Sequence, residues 1–448
     1  MPDKNDKNRG TENSALLMLG WTDLVGLVRV RGVPIDARDV TIARGLGWAA
    51  AGHAMTPFGG IAPNPWGATA EVQQIPIPET EVAIVNASQE PIRLILTRSE
   101  TKEGAPWECC PRTFLSDALE KLRKEYGLTL KATFEHEFSI THENLIPTEA
   151  TYTFAAYRQT APIIHNIVAA LQEARLPPHA VEPEFGSAQL EISFSPSDGL
   201  TGADETVLVR EIVRDIAAQH GALATYAPKP APTSVGNGMH IHFSLWNAET
   251  DAPVSYDPKG RHELSSEAAC FVAGIVRHAK ALCAVTAPSP LSYTRLQPHS
   301  WSCAYKSFGV QNRECAVRVC PPYAKDPEGR AKAFNFEYRI ADGTCNPYLA
   351  LGMIVSAGLE GLKRKADLPK AADKDPADMS AAEREACDIE QLPSSLEEAL
   401  DAFLKDDSAA GWMPAALRDA FVAVKQTELQ SVKDLNDDDL CAKYAAVY

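Results

Sequence analysis

Residues 134–140 read FEHEFSI, and both the fold and the site can be inferred outward from this short segment. Side chains alternate between the two faces of a β-strand, so Glu135 and Glu137 share one face while the apolar side chains share the other. The apolar face indicates a partly buried strand, on which two neighbouring carboxylates repel each other unless water or a cation neutralises them. A solvated sheet face explains one such segment on its own, so the interpretation depends on whether the pattern recurs.

Four later segments repeat the pattern of one apolar and one polar strand face. They are AQLEISFSP at 188–196, GNGMHIHFSLW at 236–246, ECAVRVCP at 314–321 and FNFEYRIAD at 334–342. Their polar residues are Gln189, Glu191 and Ser193, then His240, His242 and Ser244, then Arg318, and finally Asn335, Glu337 and Arg339. Glu184 precedes the first of these segments, and Arg313 precedes Arg318. Solvation alone does not explain five polar-faced strands.

Packed as one sheet with helices on the apolar side, these strands would line a cavity with five glutamates, two histidines and several arginines. Clustered carboxylates with imidazole and no thiolate suit hard divalent cations, so the pattern predicts Mg²⁺ or Mn²⁺ rather than zinc. Such metals usually serve phosphates, and guanidinium groups bind phosphoryl and carboxylate oxygens. Since the chain contains no GxxxxGK[ST] motif, we expect any ATP to be held by metals, arginines and the sheet surface.

Composition excludes several classes of protein. The chain of 448 residues is 45% hydrophobic and 23% charged, which are globular values. A net charge of −16 argues against nucleic acid or an anionic membrane as the main partner, because both recruit basic surfaces. The polar start and the absence of a long apolar run predict a cytoplasmic protein. Ten cysteines without CxxC spacing predict mostly buried thiols, not a disulfide framework or zinc site.

The chain divides into a polar tail at 1–18, a small β-rich domain at 19–104 and a larger mixed domain at 105–448. Short extended segments with glycine and proline punctuation predict the small domain. Helical apolar spacing follows in the larger one. We expect helices at 114–127, 161–175, 203–220, 265–285 and 394–406, the last with Ser395 and Glu398 at capping-box spacing. The charged, Ala-rich tract at 363–385 predicts an exposed excursion.

At these residues the sequence resembles the glutamine synthetase superfamily, from about residue 19 to the C-terminus. The resemblance is carried by EPEFGSAQLE, GNGMHIHFSLW, QNRECAVRVCPP and FEYRIADGTCNPYLALGMIVSAGLEGL. It implies an α+β fold with a small N-terminal β-grasp domain and a large catalytic domain containing an antiparallel sheet. It also implies hexameric rings, often stacked as dodecamers, with active sites between neighbouring subunits.

The resemblance assigns roles residue by residue. It implies that Glu137, Glu184 and Glu191 bind a first metal and that Glu135, His240 and Glu337 bind a second. Nucleotide contacts are implied for His242, Ser244, Arg313, Arg318 and Lys332. Contacts to glutamate and its activated γ-carboxyl group are implied for Gly236, Arg295 and Arg339. Arg339 and Arg313 are the implied catalytic arginines, which together with the metals stabilise charge during transfer of the ATP γ-phosphate and attack by an amine.

The sequence departs from ammonia-using members of the superfamily at the second substrate. Where those members carry a Gly-Tyr-Glu whose glutamate helps deprotonate ammonium, this chain reads RLQPHSWSC at 295–303, with Trp301 at that position. The N-terminal Asp-Gly-Ser-Ser type motif is also absent, and the nearest stretch is AMTPFGGIA at 54–62. An apolar ring in place of anionic contacts favours an amine with a carbon substituent, so Trp301 is a candidate catalytic and substrate-binding residue. The tract at 363–385 contains no tyrosine that could be adenylylated, as happens in some bacterial members.

The predicted activity is therefore ATP-dependent ligation of the γ-carboxyl group of L-glutamate to a small primary amine through γ-glutamyl phosphate. Ordinary glutamine synthesis, with Trp301 only packing the flap, is the alternative within the same chemistry. A catalytically inactive member with a structural or regulatory role is the alternative from another class. It is disfavoured because an inactive copy has no physical reason to keep an uncompensated anionic cluster. The sequence does not distinguish an alkylamine, polyamine, aromatic amine or amino alcohol.

Overall fold

A computed structural model of the protein describes residues 15–86, 89–145 and 150–448. The first part of the chain forms an N-terminal sheet of six strands. Its described elements are β1 Leu16–Thr22, β2 Val28–Pro34, α1 Arg38–Arg44, β3 Leu46–Ala49, β4 Glu71–Pro76, β5 Val82–Asn86 and β6 Gln89–Glu100. The strand order is β2-β1-β6-β4-β3, with β5 also paired to β6. The β1 and β6 pair is parallel and the other pairs are antiparallel. Since β1 begins at Leu16, the end of the predicted tail belongs to this sheet.

The chain after β6 contains three further sheets among its described residues. Their strands are β7 Leu128–Phe134, β8 His136–Thr141, β9 Ala180–Pro183, β10 Gln189–Ser193, β11 Ser197–Asp198, β12 Leu223–Thr225, β13 Ile241–Asn247, β14 Tyr305–Lys306, β15 Phe308–Val310, β16 Val317–Cys320, β17 Asn335–Tyr338 and β18 Glu390–Gln391. The strand orders are β12-β8-β10-β9, β11-β7-β13-β17-β16-β15 and β14-β18. Every pair is antiparallel except β15 with β16. The predicted α+β class is confirmed.

The expectation that the five polar-faced strands share one sheet is wrong. Strands β8 and β10 belong to the four-stranded sheet, whereas β13, β16 and β17 belong to the six-stranded sheet. The segment FEHEFSI is itself divided, because β7 ends at Phe134 and β8 begins at His136. The chain therefore passes from one sheet to the other at Glu135, and the two polar faces meet there.

Helices cover the apolar faces of these sheets. They are α2 Pro111–Tyr126, α3 Phe154–Glu173, α4 Gly199–Gln219, α5 Ser266–Arg277, α6 Ala279–Thr286, α7 Ser292–Arg295, α8 Pro327–Ala333, α9 Pro347–Arg364, α10 Ala381–Ala386, α11 Leu396–Lys405, α12 Asp407–Trp412, α13 Ala415–Val432 and α14 Asp437–Ala445. Short 3₁₀ turns lie at Ile35–Ala37, Ala50–Ala54, Pro78–Thr80, Arg261–Glu263 and Pro376–Asp378. Phe243 of β13 contacts Phe336 of β17 and Phe271 of α5, and all three rings are buried. Apolar strand faces thus pack on helices, as the alternation predicts.

The predicted helix at 265–285 is two helices, because α5 ends at Arg277 and α6 begins at Ala279. Within the described residues no single helix is long and apolar enough to span a membrane, and this pair, which passes only when joined, is bent by 73°. At the start of α11, the Ser395 hydroxyl accepts a hydrogen bond from the Glu398 amide at 3.1 Å. The Glu398 carboxylate instead accepts from Ser394, so only half of the predicted capping box forms.

The tract at 363–385 is not simply an exposed excursion. Leu368, Ala372 and Met379 are buried, and the Ala372 amide donates a hydrogen bond to Phe308 O on β15 at 2.8 Å. Asn312 donates to the carbonyls of Ala372 and Lys374. The composition of the tract is mostly charged and Ala-rich, so its few buried apolar residues were not recognised. The tract lies against the six-stranded sheet.

Arg210 of α4 connects the loop before α9 to the turn after β1. Its buried guanidinium donates to Gly343 O at 2.8 Å and Cys345 O at 3.3 Å in that loop, and to Gly26 O at 3.1 Å in the turn. Asn346 reinforces the same junction by donating to Asp23 O at 2.8 Å. Loss of the guanidinium would leave several buried carbonyl groups without donors, which costs free energy.

We therefore expect Arg210→Met to lower the free energy of unfolding by about 3 kcal/mol. Arg123→Met is the matched control, because Arg123 lies exposed near the end of α2 and should change stability little. Urea denaturation followed by circular dichroism measures both. Equal midpoints for the two variants would contradict the role of Arg210.

Candidate active site

The crossing between the two sheets places Glu135 and Glu137 on the same side. The Glu135 amide donates a hydrogen bond to His240 O at 3.0 Å, which joins the crossing to the start of β13. His136 points the other way, where its ring contacts Phe194 and Tyr226. Burial lowers the pKa of His136 to about 3, so this imidazole is a neutral core residue. The side chains of residues 134–140 therefore alternate between two faces as predicted, although the strand is interrupted at Glu135.

Three glutamates face one another across neighbouring strands of the four-stranded sheet. Glu191 of β10 is paired in register with Glu137 of β8 on one side and with Glu182 of β9 on the other. Carboxylate oxygens of Glu182, Glu184 and Glu191 lie within 4.8 Å of one another. Like charges directly opposite in a sheet destabilise it. We call Glu137, Glu182 and Glu191 the glutamate row.

The electrostatics of the row reflect this crowding. Burial, together with the charges of Glu135 and Glu137, raises the pKa of Glu191 to about 10. Burial and Glu137 also raise the pKa of Glu184. The row is thus held together by proton uptake or by a bound cation.

Sequence reasoning missed Glu182. Its alternation with Val181 and Pro183 was a usable signal, but its position opposite Glu191 depends on strand register.

A second group of donors converges on His240. Glu135, His240 and Glu337 offer ligand atoms within 4.8 Å of one another. His240 Nδ1 lies 2.9 Å from Glu135 Oε2, 3.4 Å from Glu337 Oε1 and 3.7 Å from Glu137 Oε1. The imidazole therefore joins the second group to the glutamate row. Carboxylates with one imidazole and no thiol form a donor set that fits Mg²⁺ or Mn²⁺.

His242 is a cation in this arrangement. Its Nε2 lies 2.9 Å from Glu135 Oε1, and its Nδ1 lies 2.9 Å from Asn335 Oδ1. The Asn335 amide nitrogen donates to Ala333 O, so its oxygen faces the ring and both ring nitrogens meet acceptors. Burial opposes protonation, but Glu135 holds the pKa of His242 well above its usual value. His242 is thus a counter-charge for Glu135.

Two arginines contact the Glu337 carboxylate. Arg318, which is in register with Glu337 across β16 and β17, donates to Oε2, and Arg339 donates to Oε1. Burial opposes ionisation of Glu337, but Arg339 and His242 outweigh it and lower its pKa to about 2. Glu337 therefore stays ionised.

Three guanidinium groups around the site each have an N–H donor without a partner among the described residues. The Nε atoms of Arg295, Arg318 and Arg339 are buried and have no hydrogen-bond partner among the described residues. Arg295 is anchored at its other end by the carbonyls of Ile340 and Ala341. Buried donors without partners are costly and rare. They are explained if anionic ligands such as carboxylate or phosphate complete the site.

The glycine loop before β13 forms one wall. A Cβ atom at Gly236 would lie 2.5 Å from Arg295 Cγ, so a side chain there would displace Arg295. The Gly238 amide donates to Glu137 Oε2 at 2.7 Å, which orients that carboxylate. Backbone therefore approaches the site closely at both glycines.

Trp301 lies at the edge of the cluster formed by the carboxylates, histidines and arginines described above. Its backbone amide and carbonyl are both hydrogen-bonded. Its amide donates to Glu314 Oε1 at 2.9 Å, and its carbonyl accepts from Arg339 at 2.7 Å. The side chain is 61% exposed, and the Arg313 guanidinium carbon lies 6.0 Å from its ring centroid. His299, Trp301 and Cys303 all have positive φ values, of 58°, 52° and 61°. A positive φ is energetically unfavourable in residues other than glycine. Contacts with the surrounding structure therefore hold this loop in its conformation.

Not every predicted residue reaches the cluster. The Ser244 hydroxyl accepts a hydrogen bond from Trp246 Nε1 at 2.8 Å, and Lys332 pairs with Glu328 on α8 at 2.8 Å. Neither side chain contacts the carboxylates or the arginines in the described structure, and Arg313 contacts only the Trp301 ring at the edge. The metal, nucleotide and substrate roles assigned by resemblance stay predictions.

Tyr152 is a site residue that sequence reasoning missed. Its hydroxyl donates to Glu184 Oε2 at 3.0 Å, and its ring centroid lies 6.4 Å from that of Phe185. Both rings are about half exposed, so they form an aromatic edge beside the glutamate row. Tyr152 precedes α3 outside any strand pattern, which left no signal to find it.

Comparison with known proteins agrees with this geometry. A family model described as glutamine synthetase, catalytic domain, matches residues 108–444. Over 439 residues the chain is 30% identical to a gamma-glutamylpolyamine synthetase, GlnA3, of Streptomyces coelicolor, which covers 96% of this chain and 93% of the relative. It is 31% identical over 365 residues to type-1 glutamine synthetase 1 of Dictyostelium discoideum, covering 78% of this chain and 71% of the relative.

A solved structure described as a novel glutamine synthase homolog superposes with a TM-score of 0.89. It is 34% identical and covers 98% of this chain, which covers 100% of that one. The chain therefore belongs to the glutamine synthetase family and is an ATP-dependent carbon–nitrogen ligase.

Proposed function

We propose that the protein joins the γ-carboxyl group of L-glutamate to a small primary amine, with ATP converted to ADP and phosphate. The observation that carries this proposal is Trp301, an exposed apolar ring at the edge of the cluster whose peptide is bound to Arg339 and Glu314. An aromatic ring attracts a carbon substituent, whereas bare ammonium gains from a carboxylate. The similarity to a gamma-glutamylpolyamine synthetase supports the same choice.

The proposed binding roles follow the two donor groups. Glu137, Glu184 and Glu191 hold one cation, and Glu135, His240 and Glu337 hold the other. These cations, Mg²⁺ or Mn²⁺, neutralise the phosphates and the glutamate row when bound. Arg318 and Arg313, with His242, Ser244 and Lys332, contact ATP. Gly236 and Arg295 contact glutamate.

The reaction then has two steps. A γ-carboxylate oxygen of glutamate attacks the γ-phosphorus of ATP, and the bond to the bridging oxygen breaks, giving γ-glutamyl phosphate and ADP. The amine nitrogen attacks the carbonyl carbon, phosphate leaves, and the nitrogen loses a proton. We assign stabilisation of charge at both steps to Arg339, and its contacts to the metal-ligand candidate Glu337 and the peptide of Trp301 support this role.

Specific observations bear on two alternative functions. Glutamine synthesis from ammonia is the second candidate, because the glutamine synthetase of Dictyostelium is as similar in identity. An inactive member is disfavoured, because six carboxylate and imidazole donors converge at a cost in stability that only ligand binding would repay. The hexameric or dodecameric assembly, the shared sites between subunits and the cytoplasmic location stay predictions.

The metal role predicts that Glu137→Ala and Glu191→Ala each lower ligase activity more than about a hundredfold while the fold survives. Chelator should abolish activity of the parent, and Mg²⁺ or Mn²⁺ should restore it. Glu143→Ala is the matched control, since Glu143 is exposed after β8. Activity is measured as ADP release with L-glutamate and an amine panel. Normal turnover in chelator would disprove the metal requirement.

The role of Arg339 predicts that Arg339→Ala lowers kcat by about 10²–10³ with a smaller effect on KM for ATP, because its charge acts on the transferring group. Arg364→Ala, which removes an exposed partner of Glu360, serves as control. Steady-state kinetics separate the two parameters. A raised KM for ATP at unchanged kcat would assign Arg339 to nucleotide binding instead.

The role of Trp301 predicts that the parent prefers an organic primary amine to ammonia. Each buried methylene contributes about 0.8 kcal/mol, roughly fourfold in kcat/KM. Trp301→Glu should shift the preference toward ammonia. Phe154→Glu, at another exposed aromatic, should not. Specificity constants for ammonia and several amines decide the question, and a parent that prefers ammonia over every amine tested would be a glutamine synthetase.

A further inference from the structure

Cys320 is the thiol at the polar side of the six-stranded sheet. It lies at the end of β16, two residues after Arg318, and is in register with Asn335 of β17. Its Sγ is 3.7 Å from His242 Nδ1 and 3.8 Å from Glu337 Oε2. Ligand atoms of His242, Cys320 and Glu337 all lie within 4.8 Å of one another. The thiol is therefore part of a mixed donor group.

The other buried thiols near the sheet are different. They are Cys303, Cys315 and Cys345. None of them is grouped with a histidine and a carboxylate among the described residues. Cys320 is buried, as expected of most cysteines in the chain, and it also lies beside a histidine and a carboxylate.

The two donor distances from Cys320 are close to those around a tetrahedral ion, and the third lies within 4.8 Å. Bonds of about 2.0–2.3 Å at tetrahedral angles place ligand atoms about 3.5 Å apart. The two distances from Cys320 Sγ, 3.7 Å and 3.8 Å, are close to this edge. A hard ion of Mg²⁺ type has no preference for sulfur, whereas Zn²⁺ and Cd²⁺ bind thiolate, imidazole and carboxylate together.

We propose that Cys320, His242 and Glu337 form a binding site for a soft or borderline divalent cation such as Zn²⁺ or Cd²⁺. Binding releases two protons to solvent, one from the thiol and one from His242 Nδ1, which then no longer donates to Asn335. The thiolate offsets one charge of the ion. Glu337 faces the ion through Oε2, the oxygen that also accepts from Arg318, while Oε1 keeps its hydrogen bond from Arg339. An open fourth position remains for water.

Occupation of this site interferes with the proposed ligase site. Glu337 is a predicted ligand of the second hard cation, and His242 is a predicted nucleotide contact. A cation bound at Cys320 makes Glu337 and His242 unavailable for these roles. Zn²⁺ therefore inhibits the ligase in the presence of excess Mg²⁺. This last consequence rests on the proposed function, whereas the binding itself does not.

The test is a titration of the metal-free full chain with Cd²⁺, followed by the ultraviolet charge-transfer absorbance of the cadmium–thiolate bond. We expect a band that saturates at one ion per chain in the parent. Cys320→Ser should lose it, and Cys387→Ser, at a partly exposed thiol elsewhere, should keep it. His242→Gln should keep the band but weaken binding at least about tenfold. Circular dichroism verifies that each variant is folded.

A Cys320→Ser titration identical to that of the parent overturns the proposal, and so does unchanged affinity in His242→Gln. Zn²⁺ inhibition of ligase activity provides the second arm, which Cys320→Ser should relieve at least about tenfold. A Cys320-dependent band in a protein without ligase activity would overturn the proposed function alone. An active ligase without that band would overturn this inference alone.

Discussion

Repulsion among the glutamates of β8, β9 and β10 is the constraint on which the site depends. Strand register fixes Glu191 between Glu137 and Glu182, and the burial of Glu137 and partial burial of Glu191 remove water that would screen their charges. Apolar packing on the opposite faces of these strands holds the register, because a shift by one residue would turn Phe138 and Ile192 into the cleft. The core therefore provides the stability that keeps the carboxylates together, and a cation relieves their repulsion.

The six-stranded sheet brings histidines to Glu135 at the crossing and arginines to its own Glu337. His240 and His242 contact Glu135, while Arg318 and Arg339 contact Glu337. Arg339 also donates to Trp301 O, so one guanidinium links the metal-ligand candidate to the loop at the edge of the site. Any ligand that recruits Arg339 will change what holds the Trp301 peptide. If Trp301 lines the amine site as proposed, Arg339 couples binding of an anionic substrate to the shape of that site.

Much of this could be predicted from sequence because it depends on local alternation. Strand period alone placed Glu191, His242 and Glu337 on polar faces; His242 and Glu337 do meet, at 3.9 Å, and Glu191 lies opposite Glu137. The break at Glu135 could not be predicted, because it depends on pairing between β7 and β13 far along the chain. Long-range register also explains why Glu182 was missed. The buried anchors of 363–385 were concealed by a charged composition.

The most direct measurement of the central claim is the melting temperature of the parent and of Glu191→Gln, each without metal and with saturating Mn²⁺ at mildly alkaline pH. Burial and neighbouring carboxylates raise the folded-state pKa of Glu191 to about 10 from 4.5, so metal-free stability falls as pH rises through that interval. Glu191→Gln has no charge to neutralise. We predict that it melts above the parent without metal and below it with Mn²⁺. A parent that is the more stable protein without metal, with equal Mn²⁺ stabilisation of both, would contradict the account.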